Sequence, residues 1–298
     1  MDRYVCIDVG GTALKYGLAN ERGRFLERSM VPTEVLEKGA SVIVDKVSAI
    51  VRGYQQRFPL AGVAISTAGM VDPEDGHIIY AMGHFPGYTG LELQRLVSEA
   101  VGLPCAVEND VNCVGLGEMW LGAGCGVRSL FCATVGTGIG GCVILNGQLV
   151  HGASYGAGEV GYLRISDTGT FEELASTKRL VREVARRKGL SPEAVDGKLV
   201  FAWAGVGDAV AEEAIERMVG YLAVGLANVC YVLNPEVIVL GGGIMAQQEY
   251  LRPRIQAAFE KAVVPNIAAH TSIRFAKLGN DAGMAGALYN LLHRQGVL

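Results

Sequence analysis

A chain of 298 residues is long enough for one large domain or two ordinary ones, with a sizeable core. Half of its residues are hydrophobic, 19% are charged and the net charge is −4, which excludes a disordered chain and argues against nucleic acid or an anionic membrane as partner. The 41 glycines follow no period and fall mostly after apolar runs, so they read as turns and close backbone approaches.

In chain order, Val5 to Asn20 (VCIDVGGTALKYGLAN) reads as a strand, a Gly10-Gly11 turn and a second strand. It matches neither G-x-x-x-x-G-K-[ST] nor G-x-G-x-x-G. Residues 41–58 have helical periodicity, residues 61–66 form a buried strand, and residues 92–102 form a second helix closed by Gly102 and Pro104. CAVEND follows as a strand running into a loop at Asn109-Asp110. Residues 131–146 (FCATVGTGIGGCVILN) then repeat the opening grammar at a fixed offset of 126 residues, Val9 falling on Val135 and Gly10 on Gly136. Each glycine bend is therefore the tip of a β-hairpin, and the chain reads as an internal duplication. Further on, residues 171–188 are predicted as one helix whose basic run, Lys178 to Gly189, is a solvated face. Residues 208–233 form a long helix stopped by Asn234-Pro235, EVIVLGGG a strand and glycine turn, and residues 281–295 a final helix. The result is two α/β domains, 1–115 and 116–281, with the C-terminal helix 282–298 packing back on the first.

Two glycine tips facing one another across a cleft would make a phosphate clamp of backbone N–H groups and the Thr12 hydroxyl. Asp8, just before the first tip, would then meet phosphate only through magnesium or its water; its alternative is a turn cap. Gly241-Gly242-Gly243 is a third glycine turn, suited to a nucleoside sliding over bare backbone. Asp110 follows a buried strand, where a carboxylate can take the proton of a hydroxyl that attacks a γ-phosphate. Asn109 can both donate to and accept from sugar hydroxyls, unless both side chains only bind turn backbone. Glu159 sits among glycines in an apolar setting, and Glu172 opens a helix whose dipole alone would favour it. His84 and Tyr88 lie in a Gly/Pro loop (GHFPGYTG), where His84 is a substrate-contact candidate. His77 and His151 show no partner signal.

IDVGGTALKYGL, GVAISTAGMVDPEDG, VENDVNCVGLGE, VGTGIGGCVILNG, GAGEVGYL and VLGGGI stand in the order seen in the repressor–ORF–kinase (ROK) family. The resemblance spans almost the whole chain. It implies a two-domain actin/hexokinase-like (ribonuclease H-like) α/β fold with an interdomain cleft, and an ATP-dependent kinase for the 6-hydroxyl of a sugar. By resemblance, Asp8, Gly10, Gly11, Thr12 and Lys15 form the first phosphate segment. Gly136, Thr137, Gly138 and Gly140 form the second, and Gly242 and Gly243 belong to the adenosine segment. Asp110 would be the base, and Gly69, Asn109, Glu159 and Glu172 would line the sugar pocket. ATP and Mg2+ are the implied cofactors.

The chain departs from the family at one place. Tyr162 stands where a zinc-binding and sugar-contacting histidine is usual, and the following segment, LRISDTGTFEELAS, has no cysteine. No structural zinc is therefore expected, nor the standard sugar contact of that histidine, and Tyr162 would reshape the anomeric side of the sugar pocket. The zinc-less relatives include β-glucoside kinases, so a free hexose and a β-glucoside are both open as substrate. The alternative function is a catalytically silent sugar-binding or regulatory protein; a family repressor would need a helix-turn-helix before the strand that starts at Tyr4. Seven cysteines without metal or disulfide spacing, no signal-peptide pattern and no apolar run of about 18 residues predict a cytoplasmic protein with no membrane partner, possibly a homodimer.

Overall fold

A computed structural model describes residues 2–81 and 85–298. The chain divides into two compact units. The first comprises Met1–Gly126, Leu149–Ala157 and Leu278–Leu298, and the second Val127–Gln148 and Gly158–Lys277.

In the first unit, strands β1 (Arg3–Val9), β2 (Ala13–Asn20) and β3 (Phe25–Pro32) form an antiparallel meander. A single turn of helix, α1 (Val35–Lys38), leads to α2 (Ser41–Gln55) and then to β4 (Gly62–Thr67). A small hairpin, β5 (Met70–Val71) and β6 (Ile78–Tyr80), precedes α3 (Leu93–Val101), β7 (Cys105–Asn109) and α4 (Asp110–Leu121). The sheet order is β3-β2-β1-β4-β7, with β4 parallel to both β1 and β7. Side chains alternate across a strand, so a sheet covered on both faces needs apolar residues at every position. β1 shows this: Val5 and Ile7 join a core cluster with Ile43 and Val47 of α2, while Tyr4 and Cys6 join another with Cys113 of α4.

The second unit repeats this plan. Strands β8 (Leu130–Val135), β9 (Ile139–Leu145) and β10 (Gln148–Leu149) come first, then the short pair β11 (Arg164–Ser166) and β12 (Gly169–Thr170). Helices α5 (Phe171–Ala175), α6 (Thr177–Lys188), α7 (Gly197–Gly205) and α8 (Ala209–Leu233) lead to β13 (Val237–Gly241). Then come α9 (Gln248–Ala262), α10 (Pro265–His270) and β14 (Ser272–Phe275). The order β10-β9-β8-β13-β14, with β13 parallel to β8 and β14, matches the first sheet strand for strand. Both glycine bends are hairpin tips, closing at Val9 opposite Leu14 and at Val135 opposite Ile139.

Four features differ from the sequence reading, each for a local reason. Asn109-Asp110 opens helix α4 rather than a loop; Cys113, Gly115, Leu116, Gly117 and Glu118 are all buried, so the helix has no polar face to betray its period. Residues 171–188 form two helices because Ser176, extended at φ −74° and ψ 157°, stops α5 and caps α6 through its hydroxyl. The first unit runs on to Gly126 rather than ending at residue 115, because α4 packs against α11 (Ala282–Arg294), which belongs to the same unit. Finally, α8 is long and apolar enough, by length and composition, to cross a membrane, which no run in the sequence reading was. Its Ile215, Met218, Leu222 and Leu226 are buried and it packs against α5, α6, α7 and α9, as a core helix does.

Glu118 pins this arrangement from inside the first unit. Although fully buried, its carboxylate accepts N–H groups from Ala123 at 2.7 Å and Leu278 at 2.8 Å, which offsets the cost of removing the charge from water.

Candidate functional site

The first unit concentrates polar groups where β7 turns into α4. Asn109 is the N-cap: its Oδ1 accepts from Val111 N at 2.9 Å and Asn112 N at 3.0 Å. Its Nδ2 donates to Gly69 O at 2.9 Å, which leaves one amide hydrogen for other use. Gly69 has φ +101°, and a Cβ there would lie 2.9 Å from Tyr80 O, so the turn that presents its carbonyl requires glycine. Asp110 is the first helical residue, and its Oδ1 accepts Val111 N–H at 2.9 Å. Beneath the corner the hydroxyls of Thr67 and Tyr88 bond each other. Tyr88 is fully buried; burial raises its pKa, opposed by the Thr67 bond and reinforced by the charge of Asp110. His84 lies outside the described residues.

Glu108, which the sequence reading did not single out, and His151, which it read as having no partner signal, complete the corner. Glu108, only 1% exposed, accepts from Asn109 N at 2.8 Å and Asn112 Nδ2 at 2.9 Å. Its other oxygen meets His151 Nε2 at 2.8 Å. The pairing spans 43 residues of chain, so no local sequence signal could announce it.

At the first hairpin tip Asp8 accepts from Ser66 Oγ at 2.8 Å and faces Lys15 Nζ at 3.7 Å. Lys15 stands opposite Asp8 in the β1–β2 register. Gly10 N donates to Ala13 O, and Gly10 O accepts the Thr33 hydroxyl at 2.6 Å. A Cβ on Gly11 would meet nothing within 4 Å, and Gly11 and Thr12 are exposed.

In the second unit Glu172 lies in the first turn of α5, yet its carboxylate reaches the hairpin tip and accepts Ile139 N–H at 3.1 Å. A Cβ on Gly138 would stand 2.1 Å from its Oε2, so the glycine makes room for the acid. Gly140 lies within β9. Glu159 follows Gly158, whose φ of +92° and tight approach to Gly141 O exclude a side chain. Glu159 keeps solvent access, while desolvation of its carboxyl and then the like charge of Glu172 push its pKa upward. Tyr162 ends the next short helical turn and is 57% exposed.

Beside the second tip lies a cavity of about 640 Å³. Its walls include Gly136 and Thr137 from the tip, Gly243 and Ile244 after β13, and Phe201 of α7. Lys178 and Arg182 of α6 also line it, so the basic run is not simply a solvated face. Gly242 shapes the wall from behind: at φ +96°, a Cβ would fall 2.2 Å from Val135 O. Lys178, Arg182 and Lys198 add positive charge, whereas Asp196, spent in capping α7 through Leu199 N, and Glu193 add negative charge. The cavity is of the size that small-molecule ligands occupy.

The model of the ROK family matches residues 4–294. The chain belongs to the ROK family. A Clostridium perfringens protein described as uncharacterized protein CPE0188 is 44% identical over 97% of this chain and 98% of its own. A β-glucoside kinase of Listeria monocytogenes is 32% identical over 98% of each. Among solved structures, a ROK family glucokinase from Streptomyces griseus in complex with glucose and AMPPNP superposes with a TM-score of 0.83 at 29% identity, covering 96% of this chain and 98% of that one. The fold is thus the actin/hexokinase-like fold of ROK sugar kinases.

Proposed function

We propose that this ROK protein transfers the γ-phosphoryl group of ATP to the 6-hydroxyl of a hexose or a β-glucoside. The observation that carries the reading is Asp110, an aspartate at the carboxyl end of a parallel strand and the first position of a helix, held by Val111 N–H. Named relatives act in the same sense: one is a β-glucoside kinase and another a glucokinase complexed with glucose and AMPPNP.

In this reading Asp110 accepts the proton of the 6-hydroxyl as that oxygen attacks. The bond from Val111 N–H orients the carboxylate at the start of the helix. Asn109 offers its remaining amide hydrogen to a sugar hydroxyl, Gly69 lines the pocket, and Glu159 and Glu172 accept from other hydroxyls. His84 keeps its candidate role at the sugar. The nucleotide occupies the cavity beside Gly136 and Thr137, with Gly138, Gly140, Gly242 and Gly243 shaping its backbone walls. Lys178 and Arg182 draw its negative charge. Asp8, Gly10, Gly11, Thr12 and Lys15 serve the phosphates from the first tip. Magnesium, when bound with ATP, neutralises charge on the phosphate oxygens, and the donor set fits it: Asp8 is a partly exposed carboxylate beside a backbone turn. Phosphoryl transfer then rests on positioning and electrostatics.

The substrate class turns on Tyr162. An exposed aromatic ring in place of the usual histidine offers a stacking surface for a second sugar ring. The test is ADP release with Mg-ATP against glucose, mannose, fructose, N-acetylmannosamine, N-acetylglucosamine, cellobiose and gentiobiose. Disaccharides turning over at least as well as glucose identify a β-glucoside kinase; turnover of one monosaccharide alone identifies a hexokinase-type pocket. Sugar binding without any ADP release overturns the kinase and leaves a sugar-binding protein. We also propose a cytoplasmic protein acting on small-molecule sugars without structural zinc. Metal analysis of the purified protein should find less than about 0.1 zinc per chain, since a structural site needs about four Cys, His or carboxylate ligands; a stoichiometric ion overturns that assignment.

A further inference from the structure

The phosphoryl-transfer reading gives Glu108 and His151 no task, yet their geometry is specific. A buried carboxylate is costly unless its lone pairs are met. Glu108 meets this cost with three donors: Asn109 N, Asn112 Nδ2 and His151 Nε2. The first two belong to the strand-to-helix corner itself. Together they fold residues 108–112 around one carboxylate, with Asp110 at the middle of the fold. The third comes from Leu149–Ala157, a stretch that joins the first unit between two stretches of the second.

That stretch is tied down elsewhere too. His151 O accepts Ala157 N–H at 3.0 Å, closing it into a loop. The Tyr155 hydroxyl bonds Asp72, just after β5, and that bond is the first cause of the raised Tyr155 pKa. A Cβ on Gly156 would stand 3.3 Å from the Met70 side chain. Since Gly69 already holds Asn109, the β5 turn, the loop at 151–157 and the Asp110 corner form one hydrogen-bonded set. With the Glu108 carboxylate as acceptor, the bond takes the imidazole tautomer that carries its proton on Nε2.

We propose that His151 is a positioning residue for Asp110: its Nε2–H, given to Glu108, holds the β7–α4 corner in the orientation that proton abstraction needs. It acts through Glu108 and touches neither sugar nor nucleotide. The proposal rests on the sugar-kinase reading with Asp110 as base.

The test compares His151→Phe, which keeps a ring and deletes the donor, with His151→Gln, whose side-chain amide nitrogen falls near the place of Nε2. Loss of the tie should lower kcat by about 10–100-fold, the scale on which small misplacements of reacting groups act, while KM for sugar and for ATP stays within about threefold. His151→Gln should keep kcat within about threefold of the parent. In an Asp110→Asn background, His151→Phe should cost no more than about a further twofold, because a residue acting through another has nothing left to position. Any of four results overturns the proposal: an unchanged kcat in folded His151→Phe, a rise in sugar KM alone, equal damage from Gln and Phe, or a full additional loss in the Asp110→Asn background. If His151→Phe does not fold, His151→Gln and His151→Asn carry the test. Asparagine places its amide near Nδ1, so only glutamine should preserve kcat. A parent protein that releases no ADP with any sugar overturns the kinase reading, and this proposal with it; an active parent with an indifferent His151 overturns this proposal alone.

Discussion

Asp110→Asn is expected to lower kcat by about 10²–10⁴-fold, the usual worth of a positioned general base, while sugar and nucleotide still bind within a few-fold of the parent. The substitution isolates basicity from architecture. Asparagine retains the oxygen that accepts Val111 N–H, so the first turn of α4 keeps its bond. Asn109, the actual N-cap, is untouched and continues to hold Val111 N, Asn112 N and Gly69 O. What disappears is the negative charge at the helix start, worth about 0.3–1 kcal/mol of stability, so the melting temperature should move by only a few degrees. Single-turnover ADP release on the saturated complex, with sugar and nucleotide affinities from calorimetry, separates the two effects. A variant that turns over within about threefold of the parent removes Asp110 from the role of base and leaves it a helix-start residue.

Legibility of the site from sequence followed the range of the interactions. The hairpin tips at Gly10-Gly11 and Gly136–Gly141 were legible because a glycine bend between two apolar strands is a local event. The repeat at Val9 and Val135 foretold two α/β domains that each open on a glycine-tipped hairpin, whereas the shared strand order of the two sheets is set by long-range pairing that the repeat did not spell out. Apart from the family resemblance, Glu172 was visible locally as a helix-start acid; its grip on Ile139 N depends on a contact 33 residues away. Lys178 and Arg182 looked like a solvent face because helical periodicity separates apolar from polar residues but does not say what the polar side meets. The Glu108–His151 bond was invisible for a similar reason. The start of α4 was obscured because apolar and small residues are spread around the helix, which removes the amphipathic period that a single sequence displays.

Gly286→Ala should be among the most damaging single-methyl changes in the first unit, and its cost comes from backbone approach rather than from chain flexibility. Helices α4 and α11 cross with glycines at the contact. A Cβ on Gly286 would sit 1.7 Å from Cys113 O, and one on Gly117 would sit 2.5 Å from Ala282 O. Neither obstacle is the far end of a side chain that could swing away; both are carbonyls fixed in a helix. The methyl can be admitted only by separating the helices, which opens the cluster of Cys113, Met284, Leu288 and Leu292 under β1 and β4. Overpacking of this kind costs about 2–4 kcal/mol, against about 1 kcal/mol returned by alanine's better helix propensity. A melting temperature lower by about 5–10 °C is the expected readout for the net loss. Gly220→Ala supplies the contrast, since Gly220 lies on the exposed side of α8 and its Cβ would meet nothing within 4 Å. That substitution should leave stability unchanged or raise it by up to about 1 kcal/mol. The damage should also reach the site, for Cys113 lies one turn below Asp110 on α4, and a Cβ on Gly283 of α11 would stand 3.0 Å from Asp8 Oδ1. A helix pair forced apart at Gly286 therefore disturbs two acids of the proposed site, and kcat should fall along with stability. Gly286→Ala melting with the parent, or losing stability no differently from Gly220→Ala, would show that the two helices have slack to separate and that the crossing does not hold the base in place.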